Sequence, residues 1–68
     1  MTNTTEAKYI LWIDGHPFGY NDLGNAKAMA AATVSLNEGE HILEQVYIEV
    51  VATGEIIHFY GRRPEVKK

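Results

Sequence analysis

The chain lacks cysteine altogether, has no long apolar run, and carries few basic residues outside one short segment. Without cysteine, neither a disulfide nor a thiolate-bound metal can hold the core together. The apolar runs are far shorter than the roughly 18–20 residues that span a bilayer, so we expect no membrane contact. The opening residues, MTNTTEAK, are polar and predict no secretory leader. These absences favour a cytoplasmic protein.

The charges are unevenly distributed. Residues 1–61 carry two lysines against eight acidic residues, a net charge of 2 − 8 = −6, whereas RRPEVKK at 62–68 carries four bases and one acid, or +3. An acidic body is a poor match for nucleic acid, whose phosphates attract a basic surface. We therefore expect a protein partner, and leave open a weak nucleic-acid association through the basic tail.

A chain of 68 residues accommodates one domain, and its apolar content of 46% is that of a globular protein. A domain this small buries only about 60% of the surface that its unfolded chain exposes. We expect a flexible arm over residues 1–7, a folded core over 8–61 and a basic tail over 62–68.

The first half of the chain predicts a hairpin followed by a helix. Residues 8–13 are rich in β-branched and aromatic side chains, and Asp14-Gly15 is typical of a turn. HPFGY follows as a short second strand, which should lie on an edge or be irregular because proline lacks an N–H. Asp22 is the expected helix N-cap, with Asn21 the alternative. NEGEH is expected to end the helix in an acidic loop. The predicted core face of the helix comprises Leu23, Ala26, Met29, Ala30, Thr33 and Val34.

The second half, ILEQVYIEVVATGEIIHFYG, predicts a hairpin with Thr53-Gly54 as a two-residue loop. That loop would pair Val50 with Ile57 and Ile48 with Phe59. The resulting fold class is α+β, β(β)αββ, a small antiparallel sheet of three to four strands with one helix packed on one face. The helix-covered face would comprise Tyr9, Leu11, Ile13, Val46, Ile48, Val50, Ile57 and Phe59.

One helix can cover only one face of the sheet, and the other face is expected to be unusually apolar. A small monomer seldom exposes so much apolar area without a use for it, and Trp and Tyr are enriched at interface hot spots. Three interpretations remain open: a docking surface for another protein, a homodimer interface, or a sheet partly covered by loops. This second face would present Ile10, Trp12, Tyr47, Val51, Ile56 and Tyr60, interrupted by Lys8, Glu49 and His58.

The sequence offers no assembled catalytic site. His16, His41 and His58 are not spaced as a helical metal pair, no serine sits on a strand-to-helix elbow, and the glycine spacing fits no phosphate-binding motif. We therefore expect a non-enzyme with no catalytic residue, no metal and no cofactor. Glu49 and His58 are predicted cross-strand neighbours, either an ordinary surface ion pair or, alternatively, a metal or acid–base pair.

A cluster of acidic residues follows the predicted helix. It either keeps the chain soluble or fits a basic groove on a partner. The partner-binding residues predicted from the sequence combine the apolar face with this cluster: Trp12, Tyr47, Glu49, Val51, Ile56, His58, Tyr60, Glu38, Glu40 and Glu44.

The succession of strand, Asp-Gly turn, short strand, NDLGNAKAMAAA helix and a hairpin closing on TGE resembles small orphan proteins of phages and prophages, anti-CRISPR inhibitors among them. The resemblance covers residues 8–61 and is one of layout. It implies an inhibitor that blocks a host protein complex by surface binding in the host cytoplasm. It assigns a role to no individual residue.

Overall fold

The structure, a computed structural model, describes residues 7–40 and 42–64. The elements in chain order are β1 (Tyr9–Ile13), β2 (His16–Tyr20), α1 (Leu23–Glu40), β3 (Gln45–Val50) and β4 (Glu55–Gly61). The four strands form one sheet in the order β2-β1-β3-β4, and every neighbouring pair is antiparallel. The helix packs against one face, so the predicted α+β fold is confirmed.

The first hairpin forms as the sequence predicts. Asp14 and Gly15 both have positive φ, 54° and 89°, and Ile13 pairs directly with His16 across them. Two left-handed residues in a row make the tight turn whose twist matches that of the strands, and Asp-Gly suits it well. Pro17 lies in β2, an edge strand, where its missing N–H leaves no gap inside the sheet.

The helix begins at the predicted cap and contacts the sheet through small side chains. Asp22 Oδ2 accepts the N–H of Asn25 at 3.1 Å. Ala26 and Ala30 are fully buried, so the helix axis lies close to the sheet. The contact stripe is narrow, and Met29, predicted to face the core, lies beside it with 47% of its surface exposed.

The helix continues past its predicted end. It includes Glu38 and Glu40, which the sequence analysis placed in an acidic loop. Asn37 is buried, and its Oδ1 accepts the N–H groups of Ile42 at 2.8 Å and Leu43 at 2.7 Å. Asn37 therefore binds the chain that follows the helix instead of ending the helix.

The predicted loop of the second hairpin is wrong. Val50 pairs with Glu55, so the loop has four residues, 51–54, and Val51 lies in it outside the sheet. In this loop Gly54 has positive φ, 77°, and Thr53 does not. A two-residue loop would force the β-branched Thr53 into the left-handed region, which such residues avoid. The register moves by two residues, pairing Ile48 with Ile57, and a shift of two keeps each side chain on its face.

A bulge in β4 changes the face of one predicted site residue. Tyr47 pairs with His58 and Val46 with Tyr60, which leaves Phe59 as the extra residue. An extra residue breaks the alternation of side chains between the two faces. Phe59 and Tyr60 both pack against the core, so the prediction that Tyr60 lies on the uncovered face is wrong.

The core is small and central. Its fully buried members come from β1, α1 and β3: Leu11, Ala26, Ala30, Val46 and Ile48. Ala7 is also buried, which corrects the predicted flexible arm at that residue; residues 1–6 lie outside the described residues. Within the described part of the chain, α1 is not apolar enough to cross a membrane.

Candidate interaction surface

The sheet surface opposite α1 is the candidate site, and we call it the open face. The register places six side chains on it, from three neighbouring strands: Ile10, Trp12, Tyr47, Glu49, Ile56 and His58. They alternate with the core residues of the same strands, as pleating requires. On the fourth strand only Pro17 and Gly19 lie opposite Trp12 and Ile10, so β2 adds no large polar side chain there. All six side chains are half-buried.

An aromatic pair lies across β1 and β3 on the open face. The rings of Trp12 and Tyr47, which are directly opposed in the register, stack with centroids 6.3 Å apart and an interplanar angle of 19°. The Trp12 indole N–H donates to Glu49 Oε1 at 3.1 Å. The bond satisfies the only polar group of the indole and restricts the orientation of its ring.

The surroundings of Tyr47 on the open face change the pKa of its phenol. Burial, and secondly the negative charge of Glu49, raise the pKa of Tyr47 above its ordinary value. Both effects disfavour the phenolate. Tyr47 therefore keeps a neutral hydroxyl, able to donate and to accept a hydrogen bond, well beyond physiological pH.

A basic segment borders the aromatic pair. Gly61 turns the chain at φ 77°, and the Gln45 side-chain amide donates to the carbonyl of Arg62 at 2.6 Å. These contacts shape a cleft of about 520 Å³, the basic cleft, lined by Gln45, Tyr47, Arg62, Arg63 and Pro64. Arg62 and Arg63 are predicted from the sequence to belong to a basic tail outside the folded core. The structure instead places them beside Tyr47; residues 65–68, with Lys67 and Lys68, lie outside the described residues.

The structure brings together half of the predicted site. Trp12, Tyr47, Glu49, Ile56 and His58 share the open face. Val51 lies in the β3–β4 loop and Tyr60 packs on the core, so neither belongs to the face. Glu38 and Glu40 lie in the last turn of α1 and Glu44 in the connection to β3, away from the open face.

The predicted Glu49–His58 pair does not form. Glu49 pairs with Ile56 and binds Trp12 instead. His58 Nε2 lies 2.6 Å from the carbonyl oxygen of Gly61, and since a carbonyl can only accept, this nitrogen carries the proton. His58 thus supports the turn that leads into the basic cleft.

Gln45 lines the basic cleft but is not among the site residues predicted from the sequence, because nothing in the sequence links it to Arg62. The contact depends on the bulge at Phe59, which sets where β4 ends against β3. The run Gly-Arg-Arg-Pro was the only available signal, since a glycine followed shortly by proline predicts a turn.

Over residues 7–40 and 42–64, no three His, Asp or Glu side chains gather as a metal site. The chain matches no protein-family model, no curated protein and no solved structure.

Proposed function

We propose that the chain is a non-enzymatic protein-binding module that docks another protein on its open face. The observation that carries the proposal is the stacked Trp12–Tyr47 pair on a sheet face that no described element covers. Ile10 and Ile56 lie beside the pair on either side of Glu49, so apolar side chains of the open face come from three strands. An apolar surface of this kind in so small a domain favours an interaction role.

The aromatic pair has the properties of an interface hot spot. Trp and Tyr supply large contact areas and lose little conformational entropy on binding, because each has only two side-chain torsions. The bond from Trp12 to Glu49 fixes the indole in advance. Binding then needs no further ordering of the ring, which favours affinity.

The basic cleft indicates the chemistry of the partner. Arg62 and Arg63 stand beside Tyr47 at one end of the open face, and both are exposed. Arginine is enriched at interfaces and binds carboxylates through paired hydrogen bonds. The proposed partner surface therefore has an apolar pocket for Trp12, with Asp or Glu side chains at the side that meets Arg62 and Arg63.

The test compares Trp12→Ala and Tyr47→Ala with Phe18→Ala. Phe18 is a matched control, since it is an exposed aromatic on a strand but lies opposite Leu11, on the other face. A partner isolated with the wild type and then purified should bind the Trp12 and Tyr47 variants about 30-fold more weakly, or roughly 2 kcal/mol. The Phe18 variant should match the wild type. Equal affinity for all four proteins, with unchanged circular dichroism, would refute the proposal.

Self-association is the alternative use of the same surface. Light scattering over about 1–100 µM separates the two, because dimer stability follows mass action. A constant dimer that Trp12→Ala converts to monomer would mean that the open face binds a second copy. A constant monomer would favour a different protein as the partner.

A second candidate is single-stranded nucleic acid, favoured by the proximity of Arg62 and Arg63 to the aromatic pair. Proteins of that class stack bases on aromatic side chains and contact phosphates with arginine. Glu49 at the centre of the face, and the net charge of −3, oppose it. Quenching of Trp12 fluorescence by oligo(dT) or oligo(U), lost at high salt and in Arg62→Glu/Arg63→Glu, would establish it over the protein partner.

The likeness in layout to small phage and prophage proteins supports a narrower form of the proposal, in which binding inhibits a host protein complex. Expression of the wild type in cells with an active CRISPR system should then restore phage plaques, and Trp12→Ala should not. Plaque counts unchanged by the wild type would refute anti-CRISPR inhibition while leaving the binding proposal standing.

A further inference from the structure

A second surface, at the C-terminal end of α1, has features that the open face does not explain. A groove of about 230 Å³, the acidic groove, is lined by Thr33, Leu36, Asn37, Glu40, Ile42 and Leu43. Leu36 and Ile42 are 76% and 68% exposed, more than any other large apolar side chain of the described residues. Leu43 packs against the core, whereas Leu36 and Ile42 stand on either side of the groove without such support.

Asn37 in the groove wall has a donor with no acceptor. Its side chain is only 2% exposed, and its Oδ1 accepts two backbone N–H groups, from Ile42 and Leu43. Those bonds fix the orientation of the amide, so Nδ2 cannot exchange places with Oδ1. Nδ2 is buried and has no hydrogen-bond partner. A buried donor without an acceptor destabilises the folded state, and such groups in native proteins often have a functional reason.

Among the described residues, the charged side chains of the helix end and the connection to β3 are acidic. Glu38 and Glu40 lie in the last turn of α1, which contains no basic residue, and Glu44 follows in the connection to β3. The C-terminal end of a helix is itself negative, so carboxylates there are unfavourable and a cation is favoured. The groove therefore combines exposed apolar side chains with neighbouring carboxylates, and one of its lining residues, Asn37, has a buried donor without a partner.

We infer that the acidic groove binds a peptide segment of a partner protein in which a bulky apolar side chain is flanked by lysine or arginine. The apolar side chain lies between Leu36 and Ile42, and the flanking cations face Glu38 and Glu40. Asn37, whose Nδ2 has no hydrogen-bond partner, is one of the residues that line this groove and reports on its occupation. A second copy in a two-fold arrangement would bring like carboxylates together, so the charges favour a basic partner. The inference does not depend on the role of the open face.

The test uses the peptide acetyl-Lys-Leu-Lys-Leu-Lys-amide as probe, titrated into ¹⁵N-labelled protein at low salt. We expect saturable NMR shifts at the side-chain NH₂ of Asn37 and the backbone of Ile42 and Leu43, at a Kd of about 1 mM or tighter. The charge-reversed peptide acetyl-Glu-Leu-Glu-Leu-Glu-amide should leave these signals unchanged. Added salt should weaken the shifts, because the attraction is partly between exposed charges.

The matched variants are Leu36→Ser/Ile42→Ser and Met29→Ser. All three residues are exposed, so the fold is expected to survive, which circular dichroism checks. The double variant should bind the probe at least tenfold more weakly, while Met29→Ser, outside the groove on the same helix, should bind normally. The inference is overturned if the Asn37 signal does not move, if the double variant binds as well as the wild type, or if the free protein dimerises through Ile42.

Discussion

Replacing Gly61 by alanine tests the contact that sets the basic cleft. Gly61 ends β4 with φ 77°, and a Cβ built there would overlap the backbone carbonyl of Glu44. Gly54 is the matched control. It has the same φ of 77°, but a Cβ there would have no atom within 4 Å. The two glycines thus share a backbone conformation that alanine disfavours, and they differ in the close approach of Glu44.

The magnitude follows from these two effects. Left-handed backbone costs alanine about 1–2 kcal/mol, and this is the whole loss expected for Gly54→Ala. In Gly61→Ala the chain must also move away from Glu44. That movement weakens the pairing of Gln45 with Gly61 and the bond from Gln45 to Arg62, each worth about 0.5–1.5 kcal/mol. The total loss for Gly61→Ala is therefore roughly 2–5 kcal/mol.

Such a loss is large for this domain. At about 0.05–0.15 kcal/mol per residue, a chain of 68 residues has a free energy of unfolding of roughly 3–10 kcal/mol. Urea unfolding of the wild type and both variants, followed by circular dichroism, measures the two losses. Gly61→Ala should lose about 1–3 kcal/mol more than Gly54→Ala. Equal losses at the two positions would mean that the contact with Glu44 does not require glycine at position 61.

Three further predictions concern the helix cap and the open face. Asp22→Ala should lower the free energy of unfolding by about 0.5–2 kcal/mol in urea, since it leaves the Asn25 N–H unsatisfied, while Asn21→Ala should have little effect. Glu49→Gln should lower the pKa of Tyr47 by removing a nearby negative charge, yet leave it above its ordinary value because burial remains the larger cause. NMR titration of labelled tyrosine rings checks this, and an unchanged or higher pKa would contradict it. Because the folded pKa of Tyr47 is raised, its contribution to stability is fully present below pH about 10 and is lost as the pH rises further. Tyr47→Phe should lessen that alkaline loss, and an identical pH profile would show that Tyr47 is not its source.

The faces of most strand residues followed from the sequence because pleating alternates them without regard to distant contacts. The alternation predicts Trp12 and Tyr47 on one face, and their direct pairing agrees with it. The two-residue shift of the β3–β4 register does not change the face of Tyr47. The turn at Asp14-Gly15 and the cap at Asp22 depend on backbone angles and a hydrogen bond that involve only a few neighbouring residues. Such local features are the ones that sequence patterns determine.

The errors fall where local signals compete with packing. Thr53-Gly54 is an acceptable turn sequence, but a two-residue turn needs positive φ at both positions, and only Gly54 adopts it. Met29 has the spacing of a core residue, but a helix resting on Ala26 and Ala30 has too narrow a contact to include it. Asn37 resembled a helix terminator, but its side chain holds Ile42 and Leu43 instead.

By itself the sequence determined the fold class, the helix start, the edge strand and the presence of two apolar sheet faces. These depend on periodicity and on the backbone limits of Gly, Pro and Asp, which act over a few residues. Tertiary structure alone decided that Tyr60 joins the core, that Arg62 and Arg63 flank Tyr47, and that Asn37 keeps an unpaired donor in the acidic groove. Each of these depends on the position of a bulge, a turn or a helix end relative to a strand that is distant in sequence. The packing of the whole domain sets that position.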